Sequence, residues 1–212
     1  MDTLYYYPGA CSLSVHAVLE ETGHPYEAKR IDIHGGENDT PEFRALHPRG
    51  LVPVLETRDG VLTEAPAILL HLAERHPEAK LLPPPTTIER TRCLEWLLLG
   101  ATHPHPAFSR VMRPERLCDG PESVEPVRTR GRTDFHDALR DVDRRLDGRA
   151  WALGERYSVA DPYLMIFYLW GRFIGLPVGE LRAYTAHFER ATARPAVQRA
   201  ITAEELPLVR AA

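Results

Sequence analysis

The chain has 212 residues, 43% hydrophobic and 26% charged, with a formal net charge of −4. That balance leaves no basic footprint for nucleic acid or an acidic membrane surface, and no apolar run reaches membrane-spanning length. Three unevenly spaced cysteines make no disulfide framework, so a reducing cytoplasm is the expected compartment, and the acidic Met1-Asp2-Thr3 start is not expected to be a secretory leader.

In chain order, Thr3–Tyr6 is rich in β-formers and predicts a strand. Pro8-Gly9 is a turn dipeptide. From Ser12 the apolar residues Leu13, Val15, Ala17, Val18 and Leu19 follow a helical period, which Gly23-His24-Pro25 stops. Residues 26–33 predict a second strand. Thr40-Pro41 opens a short helix with proline at its first position. Residues 51–56 predict a strand containing Pro53, which fits best at the strand's beginning after a cis bond that leaves Val52 free to pair with a ligand. Asp59-Gly60 marks a hairpin, and Glu64-Ala65-Pro66 opens a helix with an apolar stripe of Ile68, Leu69, Leu72 and Ala73. Residues 3–76 thus read β-α-β-α-β-β-α.

Pro77 ends that helix, and Lys80–Pro85 reads as a stiff linker. The expected domains are 1–77 and 87–212, joined by 78–86. The second reads as all-helical: 87–113, 123–146, 163–174, 180–191 and 195–205. Helix 123–146 has one narrow apolar seam and suits a surface or a dimer contact, which the Gly100-Ala101 pair also suggests. Ser158-Val159-Ala160-Asp161 reads as a capping box worth about 1 kcal/mol.

Cys11 falls where a strand ends and a helix begins, and the partial positive charge of a helix N-terminus stabilises a thiolate. Ser14 stands where a redox Cys-x-x-Cys would carry its second cysteine, so a mixed disulfide at Cys11 would wait for an outside thiol. Cys93 and Cys118 read as incidental. His103-Pro104-His105-Pro106 supplies two histidines and no third ligand, so no metal is expected. Arg128, Arg130 and Arg132 read as a solvated helix face.

Taken in order, Tyr5–Leu13, Val52-Pro53-Val54-Leu55, Leu62–Ile68, Glu95-Trp96 and His105 make the chain resemble the cytosolic glutathione transferases, most closely the bacterial cysteine-bearing (beta-type) class. The likeness covers essentially the whole chain. It implies an α/β N-terminal thioredoxin-like domain that binds glutathione, followed by an all-α helical bundle domain. Cys11, with Tyr6 and Ser12 nearby, would face the glutathione sulfur. Val52, before cis-Pro53, would pair with its cysteinyl backbone, and Glu64 and Ala65 would hold its γ-glutamyl end. His105 would line the electrophile side, where Leu13, Phe108, Met112 and Tyr163 are further pocket residues. The family is usually dimeric, so a homodimer is implied.

The residues agree in part. Glu64 offers a carboxylate to the ammonium of glutathione, and the helix opening at Ala65 offers N–H groups to an anion. Three positions depart from the family pattern. Ala65 replaces a serine, Gly35-Gly36-Glu37 replaces a loop lysine, and Leu98 replaces an asparagine; Arg49 is the nearby cation that can take the lysine's place. Glutathione is therefore the expected co-substrate, and conjugation to a small apolar electrophile the expected reaction. Thiol–disulfide exchange or dehalogenation through Cys11 is a second reading, and a non-catalytic protein-binding module a third.

Overall fold

Asp2–Tyr6 forms β1, an inner strand of a four-stranded sheet. The computed structural model describes residues 1–207. Helix α1 (Ser12–Thr22) follows and ends at Gly23 in the left-handed conformation. Strand β2 (Tyr26–Arg30) pairs in parallel with β1, and helix α2 (Pro41–Leu46) is capped by Thr40, whose Oγ1 accepts the Phe43 N–H at 3.3 Å. The hairpin β3 (Val54–Thr57) and β4 (Gly60–Thr63) leads into α3 (Ala65–Arg75). The strand order is β2-β1-β3-β4, with β3 antiparallel to both neighbours. This is the β-α-β-α-β-β-α order read from the sequence.

Alternation along β1 and β3 sorts the core. Leu4 and Leu55 pair on one face and are fully buried. Tyr5 and Val54 pair on the other, where Val54, Ile31 and Phe43 of α2 form a cluster joined by Leu46 and Val52. The Val52–Pro53 peptide bond is cis. Strand β3 starts at Val54, so Pro53 interrupts no ladder.

The remaining helices are α4 (Ile88–Thr102), α5 (Pro104–Met112), α6 (Val124–Leu146), α7 (Ala160–Phe173), α8 (Arg182–Thr192) and α9 (Pro195–Ala203). The single helix expected over 87–113 is two. The seam of α6 (Phe135, Leu139, Val142 and Leu146) is buried inside its own chain, so it is not a spare dimer face. A Cβ on Gly100 would stand 2.7 Å from the Tyr163 ring and 2.8 Å from Phe167, which makes Gly100 the close-approach point of α4 on α7 rather than a dimer contact.

Two compact units result: Met1–Leu82 with the chain from Ala191 onward, and Pro83–Arg190. Helix α9, read from the sequence as part of the helical domain, packs instead on α1. Arg194 forks onto Glu21 with contacts of 2.6 and 2.9 Å, and Arg199 reaches Glu20. No helix among the described residues is long and apolar enough to cross a membrane.

Candidate functional site

The turn after β1 delivers a thiol to the start of α1. Ala10 N–H donates to Tyr7 O, and the Ser12 hydroxyl bridges the backbone of Tyr7, donating to its carbonyl at 3.2 Å and accepting its N–H at 3.3 Å. Ser12 therefore serves the turn. Ser14 donates to the Cys11 carbonyl at 2.6 Å. Cys11 itself is 6% exposed, with its thiol 3.5 Å from the Val52 carbonyl. Burial pushes this thiol up to about 12; the backbone N–H groups of Cys11 and Ser12 pull it down, while the Glu64 and Glu204 carboxylates push it up. Desolvation outweighs the helix N-terminus, so Cys11 is a thiol and not the thiolate expected from its place at the start of a helix. In the unliganded protein at pH 8, Cys11 should react with iodoacetamide about a thousandfold more slowly than a free cysteine. Mass spectrometry of the alkylated protein reads this, and prompt stoichiometric labelling of Cys11 would contradict it.

Tyr6 is also buried, and its ring lies 5.4 Å from that of His16 in α1. Burial, then the Glu204 carboxylate, raises its pKa, so Tyr6 holds its proton.

At the other edge of the site, β4 runs into α3 through Glu64. This residue has φ +70 and ψ 110, a region that side chains rarely adopt. Its carbonyl still accepts the Ile68 N–H, while its carboxylate stands in solvent against the guanidinium of Arg49. Arg49, read from the sequence as a replacement for the missing lysine, is engaged with Glu64 in this structure. Ala65, the first residue of α3, is buried. Val52 is half-buried and lies outside the ladder. In the first unit the Cys11 thiol, the Val52 carbonyl, the exposed Glu64 carboxylate and the N-terminus of α3 all come from short turns at strand ends.

The other expected residues take different places. In the second unit, His105 of α5 sits 3.4 Å from the Tyr163 hydroxyl through Nδ1, with its ring edge-on to Trp170. Phe108 stacks on Trp170 at 4.2 Å. Met112 is exposed. Tyr163 and, in the first unit, Leu13 are enclosed core residues, so neither offers a pocket surface. His103 turns to the Thr102 hydroxyl, and among the described residues no group of three or more His, Cys, Asp or Glu could hold a metal ion.

A family model described as "Glutathione S-transferase, N-terminal domain" matches residues 2–74. The glutathione S-transferase GstA of Escherichia coli O157:H7 is 35% identical over 205 residues, covering 96% of this chain and 98% of that protein. The chain belongs to the glutathione S-transferase family. A crystal structure of a glutathione transferase from Methylococcus capsulatus superposes on this transferase with a TM-score of 0.86 at 39% identity, covering 97% and 100% of the two chains. A sphingomonad glutathione S-transferase complexed with glutathione does so with 0.84 at 32% identity, covering 96% and 99%.

In this transferase a distant acidic residue anchors the turn that carries Cys11. Glu204, just past α9, is 2% exposed; it accepts the Gly9 N–H at 3.0 Å and pairs with His16 Nδ1 at 3.0 Å. Gly9 has φ +72, and a Cβ there would press on Leu206 at 3.3 Å. The segment just past α9 thereby fixes the turn that carries Cys11. A contact spanning 195 residues leaves no local signal.

Proposed function

We propose that the first unit binds reduced glutathione and that the protein joins the glutathione sulfur to a small apolar electrophile. The observation that carries this reading is Glu64, held at positive φ where β4 meets α3 with its carboxylate exposed. Strain of this kind persists where the surroundings impose it, and it concentrates at ligand-holding positions. The glutathione-complexed sphingomonad relative supports the same ligand.

In this reading the ammonium of glutathione meets the Glu64 carboxylate. The γ-glutamyl carboxylate meets the N–H groups that open α3 at Ala65, with no serine hydroxyl to help. Val52 pairs with the cysteinyl backbone, and Arg49 takes the glycyl carboxylate. The S–H bond of glutathione breaks and its proton leaves to solvent. The sulfur then forms a bond to the electrophilic carbon as the leaving group departs with its electron pair. Cys11 keeps its proton and acts as a donor near that sulfur. This favours conjugation over exchange or dehalogenation through Cys11, both of which need the Cys11 thiolate. His105, Phe108 and Met112 are the residues we assign to the electrophile. We also read the protein as a cytoplasmic homodimer, with exposed Leu94 and Leu98 of α4 as apolar side chains that a second copy would cover.

The test is conjugation of reduced glutathione to a generic aromatic halide. The expected result is an enzyme-dependent rate that saturates with glutathione. A rate equal to the uncatalysed background would overturn the proposal.

A further inference from the structure

The structure assigns His47 a positioning role in the glutathione site: its ring nitrogen Nδ1 accepts the Arg49 backbone N–H and so fixes the turn that carries Arg49 and leads into Val52. This deepens the glutathione reading and rests on it.

The residue is enclosed, at 4% exposure, and three bonds converge on it. Its own N–H donates to the Phe43 carbonyl at 2.9 Å, which ends α2. Its carbonyl accepts the Gly50 N–H at 2.8 Å. Its Nδ1 accepts the Arg49 N–H at 3.2 Å. The far end of the turn is tied by buried Asn38, whose Nδ2 donates to the Gly50 carbonyl at 3.1 Å. Gly50 has φ +62, and a Cβ there would lie 2.5 Å from the Asn38 carbonyl oxygen, so the turn closes only around glycine. Two site residues hang from this frame. Arg49 projects its guanidinium to Glu64, and Val52, two residues beyond Gly50, presents its carbonyl to Cys11.

The acceptor role demands the neutral ring with its proton on Nε2. A proton on Nδ1 would set two donors against each other and release the turn. The charged groups facing the ring are Arg49 on the turn, Arg44 on α2 and Glu64 before α3. The two arginines oppose the imidazolium and Glu64 favours it. Burial, the largest influence, lowers the pKa below the ordinary histidine value, with Arg49 adding to it. The ring is therefore neutral at pH 7 and takes up its proton only at a more acid pH than an ordinary histidine does. Glutathione affinity should hold at neutral pH and fall as the ring takes up its proton.

The experiment is a calorimetric titration of reduced glutathione into wild type, His47→Asn and His47→Leu at pH 7.5 and 5.5. Nitrogen-15 shifts of the His47 ring are recorded in parallel on the unliganded wild type. Asparagine can accept the N–H two residues on and does not titrate. At pH 7.5, His47→Leu should bind about fivefold more weakly, the effect of one lost hydrogen bond, and His47→Asn should recover most of that. At pH 5.5, wild type should weaken towards His47→Leu in proportion to the Nδ1 protonation that the ring shifts read, while His47→Asn loses less. The ring should show Nε2–H and a bare Nδ1. Wild-type-like binding by His47→Leu, an equal acid loss in His47→Asn, or a proton on Nδ1 at pH 7.5 would each overturn the assignment. Should His47→Leu not fold, the His47→Asn pH comparison and the ring shifts still decide. Absence of binding by wild type itself would instead bring down the glutathione reading, and this role with it.

Discussion

Replacing Asp161 by alanine should cost about 3–5 kcal/mol of stability, several times the value of an ordinary helix cap. The carboxylate has no exposed surface. One oxygen accepts the Ser158 N–H at 2.7 Å and the Ser158 hydroxyl at 3.2 Å, which is the capping box read from the sequence. The other oxygen accepts the Ala152 N–H at 2.7 Å and the His187 Nε2–H at 2.9 Å. Alanine would leave these buried donors with nothing to meet and no water to replace the lost acceptor. His187 would suffer most, because its Nδ1 already lacks a partner among the described residues. Denaturant unfolding of wild type and variant measures the difference. A loss near 1 kcal/mol would mean that Asp161 is a cap and nothing more.

The second large effect concerns binding. Glu64→Gln should lower glutathione affinity by about 10- to 100-fold, the range set by one charge-assisted hydrogen bond. Glutamine keeps the side chain's length and removes only the charge that would face the ammonium. Stability should barely change, because the Glu64–Arg49 pair is more than half exposed on both sides, and pairs of that kind contribute at most about 1 kcal/mol. The contrast between a large affinity loss and a small stability loss separates a ligand-holding carboxylate from one that merely balances a helix end. Unchanged affinity in the variant would remove Glu64 from the site.

Much of the first unit is legible in the residues because its signals are local. Pro8-Gly9, Gly23, Thr40-Pro41 and Asp59-Gly60 punctuate the chain at the turns that the structure contains. The placement of Pro53 ahead of its strand follows from proline's missing N–H. The break at His103 has a local signal in Pro104, but the apolar pattern on either side of it runs on as one helix. What could not be read depends on contacts between distant segments. The helix start at Cys11 predicts a thiolate, but the enclosure of its sulfur under Val52 is tertiary and reverses the outcome. Asp161 looks like a cap because Ser158 is three residues away, whereas His187 is twenty-six. The docking of α9 on α1 rests on arginine–glutamate pairs more than 170 residues apart. The positive φ of Glu64 has no sequence signal at all, since that conformation ordinarily marks glycine.

The most direct test of the account is a calorimetric titration of reduced glutathione into the purified protein. Saturable binding is expected at one site per chain, with affinity in the micromolar to low millimolar range, carried by Glu64 and the start of α3 without the usual serine. No heat beyond dilution at several millimolar glutathione would contradict it, leaving a transferase fold whose glutathione site has been emptied by Ala65 and the Gly35-Gly36 loop.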